Sequence, residues 1–125
     1  MFWNELEGAY LFNKVFSRPI DIDRVDLFSV KIERDGPSVI LEFDLLEALP
    51  DNPLPRWQSN YDKCRCGLIC AGVKSMQLSG IATNMEVHVS IQDSSKLIMR
   101  GPGFSLELDC IYMHLSGPSV YLTGQ

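Results

Sequence analysis

Nowhere does this chain carry the roughly 20 consecutive apolar residues that a helix needs to cross a bilayer. The opening Met1-Phe2-Trp3-Asn4-Glu5 also lacks the basic start and long apolar stretch of a secretory leader. A cytoplasmic protein is therefore expected. Histidine is scarce, with only His88 and His114, and neither has a Ser or Cys beside it in a nucleophile–base pattern. Gly-x-Ser-x-Gly, the P-loop, His-Glu-x-x-His and the dinucleotide fingerprint are all missing. The acid pairs Asp21/Asp23 and Glu42/Asp44 have the chemistry to hold a cation or move protons, but beside Lys31 the second pair reads more simply as solvated surface. No enzyme and no cofactor is expected, because the usual set of nucleophile, base and orienting group cannot be assembled. Bases are few and dispersed. Arg65, Lys74, Lys96 and Arg100 form no run interleaved with aromatics, which argues against a nucleic-acid partner. A basic amphipathic helix is absent too, which argues against a membrane partner.

Cysteine is present but in the wrong spacing for a knuckle. Cys64, Cys66 and Cys70 fall on one face with Leu68 if their segment is a strand, since side chains alternate. Buried reduced thiols are the expectation for these three and Cys110, not a disulfide or a zinc site, because no Cys-x-x-Cys pair exists to start one.

What is present fits one domain spanning 1–125, ordinary in its 46% hydrophobic and 22% charged content. The net charge of −5 is unevenly spread. Residues 1–62 hold 12 acids and 6 bases, whereas 63–125 hold 4 acids and 5 bases. The acidic half favours a basic partner.

Asn4 reads as an N-cap with Glu7 three residues on, and Leu11, Phe12, Val15 and Phe16 follow at helical spacing. A helix over 4–17 is expected, ended by Arg18-Pro19. Strands are expected over 25–34 and 38–47 around Asp35-Gly36, with the turn opened to Arg34–Pro37 because Pro37 has no N–H to close a tighter one. That register sets Glu33 opposite Ser38, Ile32 opposite Val39, Val30 opposite Leu41 and Phe28 opposite Phe43. Those last six apolar residues would form one buried face beneath the helix, with Lys31, Glu33, Glu42 and Asp44 on the other.

Residues 48–60 contain Pro50, Pro53 and Pro55 and read as a long surface loop, followed by Trp57 and Tyr61 at its end. Strands then recur at short intervals: 62–71, 73–80, 85–91, 96–100 and 104–115, with a short tail at 120–123 after Gly117-Pro118. Polar and apolar residues alternate in them, as in antiparallel strands buried on one face. The expected fold is α+β, with one N-terminal helix packed on a mainly antiparallel β-meander of seven to eight strands.

Trp3-Asn4-Glu5-Leu6-Glu7-Gly8, Val15-Phe16 and the stretch Leu27-Phe28-Ser29-Val30-Lys31-Ile32-Glu33-Arg34-Asp35-Gly36-Pro37 resemble the immunity protein 50 family over roughly the first 45 residues. The family commonly has an aromatic residue followed by His-Asp before its first strand, where this chain has Ile22-Asp23-Arg24. The resemblance implies a bacterial protein encoded beside a polymorphic toxin that protects its producer by binding that toxin, with no catalytic residue to carry over. A cognate protein toxin is thus the expected partner; the acidic half favours a basic one, with a toxin of another charge as the alternative. A small-ligand carrier and a non-catalytic subunit of a larger complex are the alternatives. The outward acids Glu33, Glu42, Asp44 and Glu47, with Trp57 and Tyr61 as aromatic anchors, are the expected partner-binding residues.

Overall fold

The hairpin forms around the expected turn. In the computed structural model, which describes residues 1–46 and 48–124, Arg24–Glu33 (β1) pairs antiparallel with Ser38–Leu45 (β2). Glu33 faces Ser38, Ile32 faces Val39 and Val30 faces Leu41, as the pattern requires. The register then shifts between Leu27 and Ser29, so that Leu27, not Phe28, faces Phe43. A β-bulge explains the change: Phe28 is an extra residue in one strand, and it re-aims the chain on either side of it. The expected buried face is corrected accordingly. Val39, Leu41 and Phe43 are buried and Val30 is half-buried, but Phe28 is 62% and Ile32 57% exposed. Val25 and Leu27 take the core positions instead.

Six further strands follow: Lys63–Ala71 (β3), Ser75–Ser79 (β4), Glu86–Gln92 (β5), Lys96–Gly101 (β6), Phe104–Asp109 (β7) and Tyr112–Tyr121 (β8). In β5, Val87, Val89 and Ile91 are buried between exposed Glu86, His88, Ser90 and Gln92, so its alternation reads out directly. The expected strand over 104–115 divides at Cys110-Ile111. There the main chain donates to Ser95 and Ala71 instead of continuing in β7. The tail is not separate, because β8 runs on through Gly117-Pro118 to Tyr121. The β3–β8 ladder shifts register opposite that dipeptide, so a proline with no N–H sits at an irregularity.

The eight strands form one antiparallel sheet, but not a simple meander: the order is β4-β7-β6-β5-β1-β2-β3-β8. β3 and β4 stand six places apart in that order, a flat distance of about 29 Å at the usual strand spacing. Residues 72–74, which join them, reach at most about 14 Å. The sheet therefore curls until β1, β2, β3 and β8 face β4–β7. Lys74 N–H to the Asp109 carbonyl (2.8 Å) and Ile111 N–H to the Ala71 carbonyl (3.0 Å) tie the two crossing connections together. The space between the halves is filled by Leu41, Leu68, Met113 and Leu115 from one and Leu97, Met99, Leu106 and Leu108 from the other, all in one cluster.

The N-terminal helix is much shorter than expected. A 3₁₀ turn covers Trp3–Glu5, and the α-helix (α1) covers only Tyr10–Val15. Gly8 separates them with φ +85°, a backbone state that a side chain resists, and a Cβ there would strike the Leu115 carbonyl and the His114 ring. Asn4 caps no long helix. Its side chain accepts from Ile20 N–H (2.8 Å) and donates to Asn13 (2.8 Å), while Glu5, not Glu7, accepts from the Phe2 N–H (2.7 Å). Phe12, Val15 and Phe16 are buried as expected, and Trp3 stacks on Phe43 with centroids 4.9 Å apart. The fold is thus nearly all-β, with one short helix.

Candidate partner-binding surface

The bulge places Phe28 on the outer side of the sheet, and the residues that receive it form a small polar hub. Arg65 on β3 lies opposite Asp44 on β2. Its Nε donates to Asp44 Oδ1 at 3.0 Å and its Nη2 to Oδ2 at 3.2 Å, while the Tyr121 hydroxyl donates to the same Oδ2 at 2.6 Å. The guanidinium is stacked between two rings, 4.0 Å from the Phe28 centroid and 4.8 Å from that of Tyr121. Burial works to lower the Arg65 pKa, but the hydrogen bond and charge of Asp44 overcome it and raise the net value. Burial, then the Asp44 carboxylate, pushes the Tyr121 hydroxyl up to about 12.

Asp44 therefore differs from the outward, solvated acid expected of it. It is on the outer side of β2, yet Arg65 and Tyr121 cover it to 4% exposure, and it is the one buried charged residue among those described. Asp26 lies directly opposite it on β1. Like charges facing each other across strands destabilise a sheet. Asp44 is compensated by Arg65, whereas Asp26 has no hydrogen-bond or ion-pair partner among the described residues. Partial burial raises the pKa of Asp26, and the charges of Asp44 and Glu86 raise it further against the pull of Lys63 and Arg65.

The remaining expected residues do not gather in one patch. Glu33 is half-buried and paired with Lys31 at 3.2 Å beside the turn. Glu42 is exposed, opposite Ser29, about 14 Å further along the ladder from Glu33. Glu47 lies outside the described residues. Trp57 is half-buried and packs on the core, and the Tyr61 hydroxyl donates to the Pro50 carbonyl at 3.0 Å. The proline-rich loop is itself pinned to the end of α1. Asn52 N–H donates to the Val15 carbonyl (3.0 Å), its side chain donates to the Lys14 carbonyl (3.0 Å), and Asp51 accepts from the Ser17 N–H (2.9 Å) and hydroxyl. Hydrogen bonds to Ser17 hold the Asp51 carboxyl below the usual range.

All four thiols are buried and free. Burial, then Cys110, pushes Cys70 up to about 12, and the hydrogen bond that Cys66 donates to Cys64, then burial, raises Cys66 well above the ordinary thiol value. All four fill the core, and Cys66, Cys70 and Cys110 hold their protons more tightly than a free thiol. His88 is exposed beside Asp23 at 3.3 Å, and His114 is half-buried near Gly8.

A groove that the sequence reading missed runs beside Phe28. β5 pairs with β1 only from Arg24 to Asp26, with one more bond from Leu27 N–H to the Met85 carbonyl. Beyond it, among the described residues, no strand pairs with Phe28–Glu33 on the side away from β2. The groove of 360 Å³ that opens there is lined by Phe28, Val30, Ile32, Leu78, Ile81 and Phe104, among others. Leu78 is 47% and Ile81 88% exposed. At Phe28, Ile81 and Met85 it joins a second hollow that holds Asp26, Lys63 and Arg65. One sequence signal pointed to it. Val25 and Leu27 alternate in one phase and Phe28, Val30 and Ile32 in the other, so one extra residue must intervene.

The family model described as Immunity protein 50 matches residues 8–121, nearly the whole chain. No curated protein and no solved structure matches it. The chain belongs to the immunity protein 50 family.

Proposed function

We propose that this member of the immunity protein 50 family neutralises a cognate protein toxin in the bacterial cytoplasm by binding it one-to-one, without catalysis. The observation that carries this reading is the family match over residues 8–121. Its support in the molecule is a curled sheet that leaves a cluster of large apolar side chains in solvent, Phe28, Ile32, Leu78 and Ile81, around one groove. Scattered surface leucines are ordinary, but apolar residues gathered on one groove mark an interaction site.

The acidic first half supplies long-range attraction to a basic toxin. Exposed Glu42 contributes to that field, which speeds encounter more than it strengthens the bound state. Trp57 and Tyr61 brace the proline-rich loop, so any contact they make with toxin is secondary to that role.

Co-expression tests the reading. The toxin domain encoded beside this chain's gene should stop growth alone, be tolerated with the chain, and elute with it as a one-to-one complex by light scattering. Continued toxicity and separate elution would overturn it.

A further inference from the structure

β1 has an edge that no strand among the described residues uses. From Phe28 onward its main chain has β2 on one side only, and an unpaired edge is a template for another strand. Edges of this kind are commonly blunted by charge; this one carries Lys31 and Glu33, paired with each other at 3.2 Å, while the residues flanking it across the groove, Leu78 and Ile81, are apolar. At the near end sits Asp26, faced by Asp44 and without a partner of its own.

We propose that this groove is the toxin's docking site: an extended toxin segment adds to the free edge of β1 along Phe28–Glu33, seats apolar side chains against Ile32, Leu78 and Ile81, and sets a Lys or Arg on Asp26. The inference rests on the immunity reading and adds where the toxin binds and what it presents. Strand addition supplies main-chain hydrogen bonds for affinity, and the side-chain pockets supply selectivity. Phe28 is the fixed point of the site. The bulge turns it outward, and Arg65, itself held by Asp44 and Tyr121, stacks beneath it, so the ring is presented without first having to be ordered.

Charge selects the occupant. A second copy of this chain would bring another net charge of −5 to the groove. A cationic segment instead offsets the charge of Asp26, which Asp44 and Glu86 repel and which Lys63 and Arg65 offset only in part. The free protein thus keeps a like-charged cross-strand pair that costs it stability, and the complex relieves it.

Two variants test this against the purified toxin domain encoded beside the gene, with melting temperature measured in parallel. Asp26→Asn removes the repulsion, so the free protein should melt a few degrees higher while toxin binding weakens at least about tenfold, the loss expected for a close interfacial charge pair. Ile81→Arg places a bulky cation where the toxin's apolar and cationic groups must fit. It should leave the melting temperature unchanged, since Ile81 is in solvent, and weaken binding by a similar factor. Unchanged affinity in both variants would overturn the docking site while leaving the immunity reading intact, because the unmodified chain would still bind. Failure of the unmodified chain to bind would overturn both. A chain that is dimeric alone and becomes monomeric with Ile81→Arg would overturn the docking site by making the groove a self-interface.

Discussion

Val25 and Phe28 lie three residues apart on one strand, and both are large apolar side chains, but Val25 is sealed in the core while Phe28 stands largely in solvent. In the first half of β1, Val25–Leu27 has β2 on one side and is bonded to β5 and Met85 on the other. The second half, Phe28–Glu33, has β2 alone. Burial here follows from the strands that flank each half, and hydrophobicity alone does not decide it. The bulge at Phe28 makes the first half of β1 a core element and the second a presented edge.

The largest effect that sharpens this contrast is on stability. Leu27→Ala, in the first half, removes a buried side chain facing Phe43 and should cost about 2–5 kcal/mol. Ile32→Ala, five residues on, should stay within about 0.5 kcal/mol, as exposed substitutions do. Equal losses in urea denaturation would mean that the two halves are not different environments.

A smaller effect addresses the hub that holds Phe28 at the boundary. Tyr121→Phe removes a hydrogen bond to a carboxylate and should cost about 1.5 kcal/mol at neutral pH. Its pH signature is more specific. The unfolded chain loses the tyrosine proton near pH 10, whereas the folded one keeps it to about 12. The unfolded state therefore binds fewer protons in that window, and stability falls as pH rises through it. Cys70, held protonated to about 12 against 9.0 for a free thiol, makes stability fall from lower pH and does so in both proteins. The difference between the two melting curves should narrow between pH 10 and 12. A constant difference would remove Tyr121 from the hub.

The same contrast shows what was legible in the sequence. The 34–37 turn and the alternation of β5 and β7 were readable because each depends on local chemistry: turn residues and a period of two. The pairing of Val30 with Leu41 was readable for the same reason. The alternation Phe28-Val30-Ile32 sets Phe28 opposite Phe43, whereas the offset Val25-Leu27 marks the extra residue that puts Leu27 there. Helix 4–17 failed at Gly8, whose positive φ is imposed by contact with β8, a partner more than a hundred residues away. The burial of Asp44 was hidden for a related reason, since Arg65 and Tyr121 reach it only through strand order. The groove needs β1 beside Leu78 and Ile81, and that juxtaposition depends on a sheet that curls.

The smallest expected effect concerns the acids. Glu42→Lys lies outside the groove, so it should slow toxin association by less than about tenfold, weaken its salt dependence and leave dissociation unchanged. Stopped-flow measurements at low and high salt check this. A change confined to dissociation would place Glu42 inside the contact.

Amide hydrogen exchange on the complex tests the central claim most directly, because it compares the two halves of β1 in one experiment. Toxin binding should slow exchange at Phe28–Glu33 and around Leu78–Ile81, while Val25–Leu27, already bonded on both sides, changes little. Protection confined to residues 48–60 or to Glu42 and its neighbours, with Phe28–Glu33 exchanging as in the free protein, would contradict the account.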